Sequence, residues 1–273
     1  MEAMDLGIKG KTAVVTGADS GIGLATAMAL AAEGVQLLLN DLGGEKLDRA
    51  VARVREHTAK GGDVIGLPAD ITKTEDVRDL SKRVMDDFGG AHILVHSAGI
   101  RGASGDFLEL TDRQWLETIE VDLLGAVRVC RAFIPQMQEL GWGRLVLIAS
   151  ENAFQPYGDE SPYNACKAAI VNLSKHLSRA YSREDLLINC VSPAFIRTPM
   201  TRAMLEELEG MEHPSQREAE DWFVRTHRPR IAMQRIGRPE EVAAVIAFLC
   251  SQRASFVNGG NYRIDGGSIA SAF

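Results

Sequence analysis

The stretch Thr16-Gly17-Ala18-Asp19-Ser20-Gly21-Ile22-Gly23 decides how this chain folds. It follows an apolar run, Thr12 to Thr16, and passes directly into a helix-length segment, Gly23 to Glu33. Glycines at such a corner let the chain turn tightly, let a pyrophosphate approach the backbone and let helix pack on strand. The free N–H groups at the helix start then bind phosphate. Alone, the turn could be an ordinary strand–helix corner, because the glycine pattern acquires meaning only from its context. That context is Asp41, at the end of the second apolar run (Gln36 to Asn40) and 18 residues past Gly23. A ribose-binding acid is expected about 20 residues on. Its carboxylate can accept hydrogen bonds from both adenosine ribose hydroxyls and would repel a 2′-phosphate. No Arg or Lys in the turn offsets that repulsion, so the pair reads as NAD rather than NADP.

Outward from this corner, short apolar runs alternate with longer amphipathic segments. The runs Val64 to Leu67, Ile93 to His96, Leu145 to Ile148 and Leu187 to Val191 are continuously apolar, as strands buried on both faces of a parallel sheet are. Between them lie the segments Glu45 to Lys60, Thr74 to Phe88, Thr111 to Leu140 and Ser161 to Tyr181, read as helices. Thr74 and Thr111 are expected to cap theirs, with carboxylates following near the positive helix end. The alternation predicts an α/β fold, a Rossmann-type doubly wound parallel sheet. No repeat or Pro/Ser-rich linker divides residues 1–273, so a single domain is expected. Within it, residues 199–234 are polar and interrupted by Pro214 and Pro229, with few large apolar residues such as Met200, Met204, Leu205, Trp222 and Phe223. A stretch this long is either a solvated helical excursion or a substrate lid, and the lid is the expectation.

Composition narrows the class. Of 273 residues, 45% are hydrophobic and 25% charged, ordinary for a globular protein with a sizeable core. Thirty Lys and Arg against 37 Asp and Glu give a net charge of −7, which disfavours a generic nucleic-acid surface. No apolar run approaches the roughly 20 residues of a membrane span, and the N-terminus carries no secretory pattern. Cys130, Cys166, Cys190 and Cys250 are far apart, without C-x-x-C spacing or interleaved His ligands. They read as reduced thiols in a cytoplasmic protein, not as a metal site.

The chemistry comes from Tyr163-Asn164-Ala165-Cys166-Lys167, which stacks a phenol and an ammonium on one helical face. A buried cation beside a phenol favours phenolate and so a general base. Alone the pair is weak, since such spacing also occurs on solvated faces. Ser150 supplies a third group, at the C-terminal end of a strand, where open α/β sheets place their crevice.

With these parts in order, the chain resembles the short-chain dehydrogenase/reductase family, in its single-domain branch of about 250 residues, from Lys9 to Gly267. The glycine turn, with Gly17, Asp19, Ser20 and Ile22, matches T-G-x-x-x-G-x-G. Tyr163 and Lys167 match Y-x-x-x-K, and Ser150 precedes Tyr163 by the family's 13 residues. The resemblance implies that Asp70 and Ile71 flank adenine. It also implies that Pro193, Ile196 and Thr198 belong to the segment holding the nicotinamide amide, and that Ile264-Asp265-Gly266-Gly267 closes the last strand. Ser150, Tyr163, Lys167 and Asp122 occupy the catalytic positions. A homotetramer is implied as well, with the segments 111–140 and 161–181 as a dimer face.

Two positions depart from the family pattern. His96-Ser97-Ala98-Gly99 stands where N-N-A-G is usual. Ala98 and Gly99 still let backbone approach the cofactor, and His96 is read as a structural substitute within that cofactor segment, donating a ring N–H to a carbonyl. Asp122 replaces the tetrad Asn, whose main-chain carbonyl holds a relay water in the family. Bland readings are kept for Cys166, Trp115 and Trp142 as packed residues. Arg225, Arg228 and Arg230 either solvate the lid or meet an anionic substrate group.

The function expected is an NAD(H)-dependent oxidoreductase acting on an alcohol or carbonyl substrate. The alternatives are a 3-oxoacyl-carrier-protein reductase using NADPH and a non-catalytic dinucleotide-binding sensor.

Overall fold

Strands β1 (Thr12–Thr16), β2 (Gln36–Asp41), β3 (Val64–Pro68), β4 (Ile93–His96), β5 (Gly143–Ile148), β6 (Leu186–Pro193) and β7 (Asn261–Ile264) form one sheet. Their order is β3-β2-β1-β4-β5-β6-β7, and every pairing is parallel. The computed structural model describes residues 5–59, 62–182, 185–208 and 215–272. Parallel neighbours need crossovers, and helices α1 (Gly21–Ala32), α2 (Glu45–Arg55), α3 (Thr74–Phe88), α4 (Asp112–Ile119), α5 (Ala126–Glu139) and α6 (Ser161–Tyr181) provide them. Helices α7 (Pro199–Leu208), α8 (Gln216–His227) and α9 (Pro239–Leu249) lie between β6 and β7.

The side-chain period of two sorts the strands onto two cores. Ala13, Val15, Leu37, Leu39, Ile93 and Val95 pack with Leu30 of α1, Val54 of α2 and Ile246 of α9. Val14, Leu38, Leu94, Leu145 and Leu147 face the other way, onto Leu80 of α3, Phe133 and Met137 of α5 and Ile170 of α6. From β1 the chain winds outward to β3, then returns to β4 on the opposite side of β1. The crevice of a doubly wound sheet opens at that reversal, beyond the carboxyl ends of β1 and β4.

Four local expectations need correction. In strand β3 only Val64 is buried, while Ile65 and Leu67 are half-buried and Gly66 and Pro68 exposed, instead of burial throughout, because β3 is an edge of the sheet. Thr74 is the first residue of α3 and does not cap it. Lys73 holds the cap position with no side-chain hydrogen bond, whereas Thr111 forms a complete capping box with Gln114. Helix α2 ends at Arg55, and the expected end at Lys60 lies outside the described residues. The single helix expected over 111–140 is interrupted by a π-helical turn, Glu120–Gly125.

The segment 199–234 is better packed than its composition suggested. Leu205 of α7 and Phe223 and Val224 of α8 form a third apolar cluster with Phe195, Ile231 and Ile236. Phe223 stacks on Phe195 at 4.2 Å between centroids. Residues 209–214, with the expected break at Pro214, lie outside the described residues.

Candidate active site

At the switch point, Gly17 leaves β1 with φ of 65°, and a Cβ there would sit 2.6 Å from the Ala98 nitrogen beyond β4. Only glycine permits both that conformation and that approach. Gly23 is needed for packing instead, since a Cβ would meet the Gly17 oxygen at 2.1 Å. The cap position of α1, Ser20, makes no side-chain hydrogen bond, and the first turn carries no acid. The amides at this helix start therefore face the crevice without an internal partner and suit an anion.

The crevice is a cleft of about 540 Å³. One end is formed by Asp41, Asp70 and Ile71, and the middle by Gly17, Asp19, Ser20 and Ile22 of the glycine turn. Ala98, Gly99, Ser150, Tyr163 and Lys167 line the other end, where Pro193, Ile196 and Thr198 form the facing wall. The structure thus brings together every cofactor-site residue expected from sequence except His96. Asn40, Ser97, Ile100, Val121, Met200 and Thr201 line the cleft too. Their only signal in the sequence is adjacency to the motifs. The glycine cradle, the bare helix start and an elongated cleft ending at a Ser–Tyr–Lys group fit a nicotinamide dinucleotide.

His96 is withdrawn as a cofactor contact. It is buried, and its Nδ1 shares a 2.9 Å hydrogen bond with Thr16 Oγ1, so it ties β4 to β1 through a hydroxyl and not a carbonyl. Burial, assisted by the Lys167 ammonium, pushes its pKa down to about 3, so the ring is neutral. Thr16 Oγ1 in turn accepts the Ala98 N–H at 3.3 Å and fixes the glycine-bearing turn.

At the first end of the cleft, Asp41 Oδ1 accepts the Leu42 N–H at 2.8 Å, and Oδ2 accepts the Asp19 N–H at 3.3 Å. Burial holds the Asp41 carboxyl above its ordinary value, with the neighbouring Asp19 charge adding to the shift.

At the reacting end, the Lys167 ammonium lies 5.1 Å from the centroid of the Tyr163 ring. Ser150 lines the same end of the cleft as the phenol. The sequence reading has the lysine pulling the tyrosine pKa down, and that pull is present. It is outweighed by burial, and the Asp122 carboxylate pushes further upward, so the phenol stands above its ordinary value.

Asp122 differs most from expectation. Its side chain makes direct contacts of its own: Oδ1 accepts the Ile100 N–H at 2.8 Å and Oδ2 lies 3.1 Å from Lys167 Nζ. Burial alone would lower the lysine, but Asp122 and Tyr163 overcome it and hold Lys167 above its usual range. The π-helical turn sets Asp122 inward at this point, a known use of such turns at functional sites.

The remaining candidates are structural. Burial, then the Asp122 charge, raises the Cys166 thiol to about 11, unsuited to a nucleophile. Arg228 stacks on the Tyr157 ring at 3.7 Å, Arg230 donates to Gln155 at 3.2 Å, and Arg225 donates to its own helix. Trp142 is held between Lys11 and Arg144, and Trp115 meets Phe107 edge-on. Among the described residues, no group of three or more His, Cys, Asp or Glu side chains is placed to hold a metal, and no helix is long and apolar enough to cross a membrane.

A family profile described as Enoyl-(Acyl carrier protein) reductase matches residues 17–268, nearly the whole chain. The chain belongs to the short-chain dehydrogenase/reductase family. Dehydrogenase/reductase SDR family member 4 of Oryctolagus cuniculus is 31% identical over 258 residues, spanning 94% of this chain and 93% of that protein. L-sorbose reductase of Gluconobacter frateurii, solved with NADPH and L-sorbose, is 34% identical. It superimposes with a TM-score of 0.91 over 98% of this chain and 100% of that one. Levodione reductase is 32% identical, with a TM-score of 0.88 over 97% and 99% of the two chains. The protein is therefore an oxidoreductase of the short-chain dehydrogenase/reductase family, a family that binds nicotinamide dinucleotides.

Asp122→Asn removes a negative charge that holds the Tyr163 phenol up and offsets Lys167. With that charge gone, the phenol ionises at lower pH. For a carbonyl reduction in which this phenol gives up its proton, the basic limb of the kcat/KM profile is expected to move to lower pH, with activity retained. An inactive variant, or a limb that moves upward, would mean that the carboxylate acts directly in the reaction.

Proposed function

We propose that this enzyme is an NAD(H)-dependent alcohol dehydrogenase or carbonyl reductase acting on a secondary alcohol or ketone. The observation that carries the reading is the convergence of Ser150, Tyr163 and Lys167 at the inner end of the cleft. Two hydroxyls there can share one substrate oxygen, which suits interconversion of C=O and CH–OH. Ser150 donates to that oxygen and fixes its position. In oxidation Tyr163, as phenolate, takes the alcohol proton; in reduction the phenol returns it. When bound, the nicotinamide supplies or accepts the hydride. Lys167 holds the phenol's electrostatics and faces the cofactor ribose, while Ile196 and Thr198 orient the carboxamide. Proton transfer from such a group contributes roughly 10² to 10⁴ in rate. Tyr163→Phe, which deletes only the hydroxyl, is accordingly expected to lower kcat by at least about 10²-fold while cofactor affinity, by calorimetry, stays near wild type. Wild-type turnover of a secondary alcohol by this variant would refute the mechanism.

NAD over NADP rests on Asp41 and Asp19, two carboxylates at the adenosine end that a 2′-phosphate would have to face. A second reading, NADP(H), has its own observation. Lys46, Arg49 and Arg53 line a groove on the other side of Asp19 and Ser20, and several similar structures contain NADPH. Titration calorimetry separates the two: wild type should bind NAD(H) much more tightly than NADP(H), and Asp41→Ser should narrow the gap. Equal affinities in the wild type would favour the second reading.

The acid pair also counts against an NADPH-dependent 3-oxoacyl-carrier-protein reductase, and the gathered Ser–Tyr–Lys group counts against a non-catalytic sensor. We read residues 199–234 as a substrate lid within one domain and place the protein in the cytoplasm, where four free, buried thiols would stay reduced. A homotetramer is supported by exposed Leu116 and Leu124 on the expected dimer face. Sedimentation velocity should give a four-chain species, and a monomer at micromolar concentration would rule it out.

A further inference from the structure

Behind Ser150 runs a chain of polar contacts that the proposed reaction does not itself use. The Ser150 hydroxyl donates to Asn152 Oδ1 at 3.0 Å, and the Asn152 N–H donates back to Ser150 Oγ at 3.2 Å. Asn152 Nδ2 donates to Glu160 Oε2 and to Asn164 Oδ1, both at 2.8 Å. Two acceptors therefore consume both amide hydrogens, and only the amide oxygen is left to face Ser150. Glu160 sets that direction, and it is itself a buried carboxylate, which needs a counter-charge. Arg101 supplies one, with Nε 3.3 Å from Glu160 Oε1. The same guanidinium reaches with Nη1 to Glu207 Oε2, 2.6 Å away on α7.

Helix α7 is thereby held at two places about 9 Å apart along its axis, at 1.5 Å per residue. At its start, Thr201 Oγ1 donates to the Ile196 carbonyl at 2.7 Å, and Pro199, Met200 and Thr201 line the cleft. Near its end, Glu207 is held by Arg101, two residues past the Gly99 that lines the cleft. One side chain thus touches the segment after the cofactor turn, the loop that orients the catalytic serine, and the helix over the cleft. A guanidinium can do this because its donors point in fixed, divergent directions; an ammonium offers a point charge.

We propose that Arg101 is a positioning residue that links the placement of α7 to the direction of the Ser150 hydroxyl. The inference rests on the proposed function for its consequence in catalysis, but the linkage is a property of the fold and is read without turnover. With α7 docked, Arg101 compensates Glu160, Asn152 keeps its oxygen toward Ser150, and the serine Oγ is held in place by its two hydrogen bonds to Asn152. With the arginine removed, both the helix and the amide lose their restraint.

Hydrogen exchange of the full chain with NAD tests this. Glu207→Gln cuts only the outer arm and should speed exchange over 199–207 alone, by about 1.5- to 5-fold for a partly exposed ion pair. Glu160→Gln lets the Asn152 amide turn over and should speed exchange over 150–155 alone. Arg101→Met should speed both, and Arg101→Lys should restore part of the protection. In turnover of a secondary alcohol, Glu207→Gln should raise KM with kcat kept. Glu160→Gln should lower kcat about 10- to 100-fold, the scale of a small misplacement of a catalytic group, with KM kept. The proposal is overturned if Arg101→Met affects one segment or neither, or if the two glutamine variants show the same pattern. Should Arg101→Met fail to fold, the two isosteric glutamine variants decide alone. Absence of any alcohol turnover in the wild type would defeat the proposed function, whereas the exchange pattern would still decide the linkage.

Discussion

Lys167 is buried at the inner end of the cleft, and a buried ammonium is tolerated only with a counter-charge at contact distance. Asp122 provides it at 3.1 Å, and much of the local architecture follows from that requirement. The carboxylate has to be aimed inward from a long helical run, which the π-helical turn achieves. Its second oxygen takes the Ile100 N–H, which anchors the chain just past Gly99. A Cβ on Gly99 would lie 3.2 Å from Lys167 Nζ and 3.3 Å from Asp122 Oδ1, so the ion pair also fixes how closely the turn after β4 can pass. Site charge, helix geometry and the cofactor-facing turn are therefore one constraint.

The same pair sets the chemical bias of the tyrosine. An uncompensated ammonium would favour phenolate strongly in a dry site. Here its charge is largely answered by Asp122, burial acts against phenolate as well, and the phenol is held in its protonated form. A proton donor at neutral pH is what carbonyl reduction asks of this residue, while alcohol oxidation would be favoured under alkaline conditions.

The sheet and the cleft were legible in the sequence because their signals are local and strong. Six of the strands carry apolar runs, and Thr16 to Gly23 admits few conformations once a helix follows. Edge position was not legible, because β3 is as apolar as its neighbours and only the strand order shows that one face is open. The role of His96 depended on which partner lay across β1, and the sequence does not reveal that Thr16 presents its hydroxyl there. The π-helical turn was hidden too, since its residues suit an α-helix equally well and tertiary demand at Asp122 decides between them. Asn152 and Glu160 lacked a motif entirely; their meaning lies in a chain of contacts between residues far apart in sequence, Arg101 and Glu207 included.

Segment 199–234 shows why composition misleads about packing. Its apolar residues are few, yet Phe223 and Leu205 are placed to meet Phe195, just past β6, in a cluster separate from the two main cores. The cluster therefore ties the segment to the chain on either side of it, Phe195 just past β6 and Ile236 before α9. Beside the apolar stacking of Phe223 on Phe195, the boundary contacts include Arg101 with Glu207, Arg228 on Tyr157 and Arg230 with Gln155. All three reach the catalytic side through partners near Ser150. Directional contacts of this kind exchange for water at a smaller cost than apolar burial and re-form only in one register.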